Sequence, residues 1–445
     1  MFGGFLVPSI FAQDLHQPDS IANEALGTNN NLLTSMEATM DPADTEAETD
    51  DEAVEDEEDA ESDIELIDDS LLGDGLDSCG TDCDYKDICY ERCPKERCFD
   101  FGGWLEQGFT ANGRDPADGF NGVTGMNDQA NEYQMNQLWV YAERETEVRG
   151  CGWDIGGRID LVYGTDSEFM QSIDGLEADW DQTGFYQLAI PQFYLDVAYK
   201  SLTFTAGHFI SPLGWESYMA PDNFFYSRSY TFMYGTAGTY WGGILTWDFS
   251  DQAQVFAGLH RGSDQFRDSD GKDALNFIGG ASWISEDEDT YMEFAITSEE
   301  QGVDNPVTLL SYALSHEICC RTTWVFEYVW GERSYTNDEW YGINQHLLYK
   351  INSCWSLGGR LEWFRDNDGG QVGAWREGNP AQGPYKGNFW ETTAAIRWTP
   401  NEHLIARGEV RWDWYDADQP GGPRPFDNGN KSDQFLYSLD VILVF

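Results

Sequence analysis

The feature that most constrains this chain is a series of segments in which apolar and polar residues alternate. Alternate residues of a β-strand point to opposite faces, so a period of two predicts a strand with one apolar face. We predict about sixteen strands (roughly fourteen to eighteen), near residues 101–111, 132–148, 152–164, 186–200, 201–210, 238–250, 253–262, 275–285, 290–298, 306–317, 320–332, 340–351, 353–366, 387–399, 402–415 and 432–445. The predicted links alternate between long and short ones. This pattern predicts an all-β fold, a transmembrane up-and-down antiparallel β-barrel.

The last predicted strand has one wholly apolar face, made of Phe435, Tyr437, Leu439, Val441, Leu443 and Phe445. Its other face carries Gln434, Ser438 and Asp440, and the chain ends on an aromatic residue. An exposed apolar edge invites aggregation, whereas pairing with the first strand would remove that edge. The segment alone also fits the last strand of a β-sandwich. A final strand ending in Phe445 resembles the signal recognised by barrel-assembly machinery, which we therefore expect as a partner.

Aromatic residues tend to stand at the ends of the apolar faces, with small or aliphatic residues between them. Trp390 and Trp398 flank one such face, and Trp153 and Tyr163 flank another. This is the girdle arrangement of strands that cross a bilayer, and it predicts contact with outer-membrane lipid. Because a soluble sandwich also alternates, the aromatic ends and the strand lengths favour the membrane.

The charge of the chain is strongly negative, at −55 overall. Residues 1–98 carry −24 and residues 99–445 carry −31, so the predicted barrel is acidic by itself. Nucleic-acid binding requires a basic surface, so we expect no nucleic-acid partner. An acidic barrel is expected to favour cations in any pore that it lines.

The N-terminal region divides into three predicted segments before the barrel of residues 100–445. Residues 1–13 resemble the apolar and cleavage parts of a secretory signal peptide without its basic start, although an unstructured N-terminus is the alternative. Residues 14–77 are dominated by Asp and Glu over their later part and are predicted to be disordered. We interpret this segment as a solvated tail, with a periplasmic tether or an ion-collecting brush as alternatives.

Residues 78–99 form a cysteine-rich segment that we predict to be periplasmic. Nested disulfides, Cys79–Cys93 and Cys83–Cys89, would staple a short helical hairpin in an oxidising compartment. A metal or cluster site is the alternative, although zinc sites more often use a two-residue spacing. The remaining cysteines are Cys98 in the same segment and Cys151, Cys319, Cys320 and Cys354, which all fall in predicted short turns.

The centre of the chain carries a motif of about forty residues: GHFISPLGWE at 207–216, NFFYSRS at 223–229 and GTYWGGILTW at 238–247. With the pattern at Tyr133–Glu143 and the aromatic last strand, this motif resembles the OmpL-like β-barrel porin family. The resemblance implies an outer-membrane porin. The acidic leader and the cysteine cluster depart from the family's usual pattern and leave a further role open.

The third long link, residues 210–238, corresponds to the loop that narrows the pore of general porins. We therefore predict that this loop folds inward and that Glu216, Asp222 and Arg228 lie at the constriction. The opposing wall is predicted to present lumen-facing charges, which are Arg158, Asp160, Arg360, Glu362, Arg397, Arg407, Glu409 and Arg411. The alternatives are a turn-capping role for Glu216 and salt bridges within the lumen for the wall charges.

The first hypothesis for function is a porin through which small hydrophilic solutes and ions diffuse passively, without cofactor or metal. The second is an anchoring barrel whose acidic leader engages periplasmic partners. The third is a secreted β-rich hydrolase. Because the six histidines are scattered and no G-x-S-x-G or HExxH motif occurs, we do not expect an enzyme. An even strand count predicts that both termini are periplasmic. The oligomeric state, monomer or homotrimer, is left open.

Overall fold

The sixteen predicted strands form one closed antiparallel barrel. The computed structural model describes residues 99–148, 152–177, 180, 184–266, 275–300 and 306–445. Each strand pairs with its sequence neighbours, and β1 pairs with β16. The strands are β1 (Asp100–Asn112), β2 (Glu132–Arg144), β3 (Trp153–Gly164), β4 (Gln187–Tyr199), β5 (Leu202–Ile210), β6 (Thr239–Ser250), β7 (Ala253–Ser263), β8 (Asn276–Ile284), β9 (Thr290–Glu300), β10 (Pro306–Cys319), β11 (Thr322–Arg333), β12 (Asp338–Lys350), β13 (Trp355–Asp366), β14 (Gly387–Asn401), β15 (Leu404–Ala417) and β16 (Asp433–Val444). The predicted fold class is confirmed.

Among the described residues, helical structure is confined to links between strands. The link between β5 and β6 contains the short helix α1 (Tyr230–Gly235) and a 3₁₀ turn at Ala220–Asp222, and a second 3₁₀ turn, Asp166–Phe169, follows β3. Within the described residues, no helix has the length and apolar character needed to cross a bilayer.

The last strand closes the barrel as its pattern predicted. Its register with β1 runs from Trp104 opposite Val444 to Asn112 opposite Leu436. Beyond the last pair, the backbone N–H and C=O groups of Gly103 exchange two 2.9 Å hydrogen bonds with Phe445. The side chain of Leu439 is 67% exposed, whereas that of the adjacent Asp440 is only 3% exposed. The period of two therefore separates an apolar outer face from an inner face that carries Gln434, Ser438 and Asp440 together with Leu436 and Ile442.

Aromatic side chains are exposed on the outer face near both ends of the strands. At the end where β3, β6 and β8 meet the short turns, Trp153, Trp247 and Trp283 are exposed, and Tyr163 and Tyr133 are exposed at the other end. Stacked pairs such as Trp390 and Trp414 lie side by side on neighbouring strands, with ring centroids 5.8 Å apart. The distribution fits the girdles of a bilayer-spanning barrel.

The interior of the barrel is densely filled. Nearly all side chains that point inward from the described strands are buried, whether polar, such as Asp160 and Glu391, or apolar, such as Ile278 and Val325. The largest buried cluster joins inward-facing residues of the wall to aromatic residues of the link between β5 and β6. We therefore consider that link the best candidate for a functional site inside the barrel.

The links and strand ends differ from the prediction in two details. The alternation of link lengths is not strict, because the chain between β2 and β3 spans residues 145–152 while the link between β11 and β12 spans only 334–337. The predicted strand to residue 148 ends at Arg144 instead, since the alternation beyond it has no apolar face to bury.

Residues 1–98, which hold the predicted signal, acidic and disulfide segments, lie outside the described residues. Cys354, in the short link after β12, has a free thiol.

Candidate functional site: the loop between β5 and β6

The candidate site is built around residues 211–238, called here the β5–β6 loop. Its shape is fixed locally by polar side chains that bond to its own backbone. The Asn223 side chain accepts from the backbone N–H of Ser217 and donates to the carbonyls of Ser217 and Met219, at 2.7–2.9 Å. Ser229 caps α1 by accepting from the N–H of Phe232. The loop is thus a folded unit held by its own side chains.

Glu216 joins the loop to the barrel wall. Its carboxylate accepts from the backbone N–H and the hydroxyl of Ser229, each at 2.8 Å, and from the guanidinium of Arg360 on β13 at 2.6 Å. Burial by itself favours the neutral acid, but the attraction of Arg360 and the bonds from Ser229 outweigh it and hold the pKa of Glu216 below its ordinary value. Glu216 therefore both caps a turn and forms an ion pair in the lumen.

The other two predicted constriction residues also lie in the loop. The Arg228 guanidinium is 2% exposed and donates to the carbonyls of Ser217 and Tyr226, so it braces the loop from within. The Asp222 carboxylate lies 3.5 Å from the hydroxyl of Ser217. Burial raises the pKa of Asp222 to about 7. Glu216 forms a direct ion pair with Arg360 of the wall.

Arginines on β14 and β15 hold the loop through its backbone carbonyls. Arg407 donates to the carbonyls of Ala220, Asn223 and Phe225 at 2.8–3.1 Å, and its charge is matched by Glu106 and Asp440, each at 2.7 Å. Such a buried cation is tolerated because carboxylates and carbonyls replace its water.

Two further arginines make the same kind of contact. Arg397 donates to the carbonyls of Pro221 and Asn223. Arg411 donates to the carbonyl of Arg228 at 2.6 Å and forms an ion pair with Asp413 at 2.8 Å. The four inward-facing arginines of β13–β15, which are Arg360, Arg397, Arg407 and Arg411, thus lie along one side of the loop.

Carboxylates from the same side of the barrel accept from the loop's N–H groups. Glu409 accepts from Tyr226 and Ser227 at 3.0 and 3.1 Å, and Glu362 accepts from Tyr230 and Thr231 at the start of α1. The first N–H groups of a helix have no partner within the helix, so Glu362 satisfies two of them. The predicted wall charges therefore bind the loop instead of facing open water.

Arg158 and Asp160 stand apart from this group. Arg158 of β3 forms ion pairs with Asp160 at 2.7 Å and with Glu143 at 3.0 Å, and its guanidinium lies over the ring of Tyr141. It also approaches the β5–β6 loop, at 3.8 Å from the sulfur of Met219. The structure thus brings six of the eight predicted wall residues together and leaves this pair on another part of the wall.

Glycines of the wall make room for aromatic residues of the loop. A side-chain carbon built on Gly108 would come within 2.6 Å of the Tyr226 ring, and one on Gly358 within 2.2 Å of the Phe224 ring. Both distances are shorter than any real contact, so the loop packs directly on the backbone of β1 and β13. Phe224 and Phe225 are buried there with Leu348 and Ala395.

Several functional partners were missed by the sequence analysis. Glu106, Glu391 and Asp440 neutralise the arginines, and their inward positions follow from strand parity, which could have identified them. Arg376 could not be identified in this way, because it lies in a link between strands, where alternation does not predict which side chains point inward. Its guanidinium pairs with Asp128 and Glu168, tying three long links together at one end of the barrel.

A closed barrel of sixteen antiparallel strands, apolar outside and polar inside, with a long link bonded to its inner wall, defines the class of outer-membrane β-barrel channels. Residues 98–445 match the family described as "Putative beta-barrel porin-2, OmpL-like", and the chain belongs to that family. The resemblance identified from the central motif is therefore confirmed, and the family indicates the outer membrane. No curated protein matches the chain.

Solved structures support the same fold. The chain is similar to the outer membrane channel DcaP of Acinetobacter baumannii, with a TM-score of 0.51 and 10% identity over 78% of this chain and 97% of that one. It is also similar to an anion-selective porin from Comamonas acidovorans, with a TM-score of 0.50 and 7% identity over 79% of this chain and 100% of that one. At these identities the similarity concerns the fold alone.

Proposed function

We propose that this protein is a channel for passive diffusion of small hydrophilic solutes across the outer membrane, with the β5–β6 loop as its constriction. The observation that carries the proposal is the bonding of the loop to inward-facing residues of β13, β14 and β15, including Arg360 and Arg407. In this proposal, solutes pass between the loop and the opposite wall of the barrel. A preference for cations is part of the proposal, because residues 99–445 carry −31.

The proposal includes an orientation and an assembly route. We place both termini and the short turns in the periplasm, as an even number of strands brings both ends of the barrel to one side. The exposed ring of Phe445, at the end of the closing strand, is available to barrel-assembly machinery. Chromatography of the detergent-solubilised protein with light scattering distinguishes a monomer from a homotrimer.

Single-channel recording in planar bilayers tests the main proposal. The full chain, refolded until it shows the heat-dependent gel migration of a closed barrel, is expected to give discrete conductance steps in potassium chloride. A matched control is the heat-unfolded protein at the same detergent concentration, which should give none. A folded barrel without conductance steps would refute passive diffusion.

One observation favours a second function. Because nearly all inward-facing side chains of the described strands are buried, the barrel could serve as a filled anchor for the acidic leader. The same recording decides between the two, since an anchor gives no conductance steps. An anchor would also leave liposomes impermeable to small sugars, whereas the channel should admit them.

A further inference from the structure

The inner wall formed by β6–β11 differs in charge from the wall that holds the β5–β6 loop. It carries inward carboxylates at Glu293 and Glu327, whereas these six strands contain just two basic residues other than histidine, Arg261 and Arg333. Arg333 is paired with Asp338 at the far end of its strand, 3.1 Å away. Arg261 lies on the outer face of β7, in line with the exposed Leu259.

Glu293 and Glu327 face the lumen in one row across three strands. Ala313 of β10 stands directly opposite Glu293 of β9 on one side and Glu327 of β11 on the other. Two strand spacings separate the Cα atoms of the two glutamates by about 10 Å. Because the residue between them ends at a methyl group, no side chain of the row stands between the two carboxylates.

The two carboxylates are buried and bonded to neutral donors. Glu293 accepts from the hydroxyl of Tyr291 at 2.7 Å, and Glu327 accepts from the backbone N–H of Trp215 at 2.9 Å. They are 4% and 1% exposed. Within the part of the chain that the structure describes, no arginine or lysine forms an ion pair with either. Buried carboxylates of one sign are costly unless a cation accompanies them or a proton neutralises them.

Two serine hydroxyls beside the row independently indicate a missing partner. Ser311 and Ser315 flank Ala313 on the same inward face of β10, and each is 1% exposed. No described atom is hydrogen-bonded to either hydroxyl. Buried hydroxyls are nearly always bonded to something, so this pair is available to bond a ligand or water.

A cavity of about 540 Å³ lies beside the row, at the end with the short turns. Polar residues line it, among them Asp248, Gln254 and Ser282, and its lining ends at Tyr291. Tyr291 also packs with Trp215 over Ala313 and Val325. The Tyr291 hydroxyl, bonded to Glu293, therefore separates the cavity from the two carboxylates.

We propose that Glu293, Glu327 and the hydroxyls of Ser311 and Ser315 form a binding site for the primary ammonium group of a small organic cation. An ammonium group has three N–H donors, enough to bond both carboxylates and one hydroxyl. The rings of Trp215 and Tyr291 offer the aromatic faces that cations favour. No group of His, Cys, Asp and Glu among the described residues is arranged to hold a metal ion, which favours an organic cation.

The inference deepens the proposed function, because it relies on the channel to bring the solute to the site. In bilayer recordings of the full chain, n-butylammonium chloride is expected to block the potassium current reversibly, most strongly from the side of the short turns. Glu293→Gln should raise the half-blocking concentration about tenfold, since it removes one charge-assisted bond. Glu299→Gln, the control, removes the same charge from the same strand outside the row and should leave block unchanged.

Equal weakening by Glu299→Gln, or a conducting pore that butylammonium does not block, would overturn the site while leaving the channel intact. Calorimetric titration of butylammonium into the detergent-solubilised protein separates the two proposals. Binding that Glu293→Gln weakens, in a barrel that does not conduct, would support the site and refute passive diffusion. If the glutamate variants fail to fold, the double variant Ser311→Ala with Ser315→Ala decides: unchanged binding would overturn the site.

Discussion

The Arg360 side chain is fully buried, and hydrogen bonds from its guanidinium to protein groups take the place of hydrogen bonds to water. Its guanidinium contacts the carboxylates of Glu216 and Glu391, and also the carbonyl of Ser227 at 2.8 Å. It further lies over the ring of Phe225, 4.9 Å from the ring centre. One residue thus joins β13, β14 and the β5–β6 loop.

Arg360→Ala is expected to destabilise the barrel by about 3–5 kcal/mol, because it leaves buried carboxylates without their cation. The loop should also lose its attachment through Glu216, so single-channel conductance should rise. Denaturant unfolding in detergent and bilayer recording are the two measurements. Arg365→Ala is the matched control: its pair with Asp418 is partly exposed, so the change should cost no more than about 1 kcal/mol. Equal effects of the two substitutions would contradict the role of Arg360.

At the scale of elements, the β5–β6 loop can pack closely against the wall because the wall has glycines at the points of contact. Gly358 on β13 lies under the Phe224 ring, whereas a side-chain carbon built on the next residue, Gly359, would point outward with nothing within 4 Å. Adjacent glycines on one strand therefore have opposite roles. The inner one permits the loop to dock, and the outer one faces the membrane.

Gly358→Leu should force Phe224 away and displace the loop, at a cost of about 1–3 kcal/mol typical of overpacking. Gly359→Leu adds the same side chain on the outer face and should be neutral or nearly so. Thermal unfolding followed by gel migration, together with protease cleavage in the loop, measures both effects. A loop that stays protected in Gly358→Leu would contradict the close packing of Phe224 on β13.

The strands and their inner faces could be predicted from sequence, whereas the partners of the inner residues could not. Parity along β15 predicts that Arg407, Glu409 and Arg411 face inward, and all three side chains are buried. Their partners are mainly backbone groups of a loop whose path depends on internal bonds such as those of Asn223. Glu362 meets two N–H groups only because Ser229 starts α1 at that point. Such contacts arise from tertiary folding and leave no periodic signal.

At the scale of the whole molecule, charge is distributed unevenly around the barrel. The arginines of β13–β15 are matched by carboxylates or engaged by loop carbonyls. On the wall of β6–β11, by contrast, Glu293 and Glu327 accept hydrogen bonds from neutral donors. With −31 over residues 99–445, the field inside is expected to be negative.

The reversal potential in a potassium chloride gradient should therefore show that potassium permeates more readily than chloride. The preference should weaken near 1 M salt, where the screening length falls to about 3 Å. Recording the same channels at low and high salt provides the internal control. A reversal potential favouring chloride at low salt would refute the predicted selectivity.

The hydrogen bonds that dock the β5–β6 loop connect residues far apart in the chain. Glu362 is 132 residues from Tyr230, and Glu409 is 183 residues from Tyr226. During synthesis, the loop is complete long before any of these acceptors has been made. Its docking must accordingly be among the last events of maturation. A polypeptide interrupted before β13 would contain the loop but lack the strands to which the loop binds.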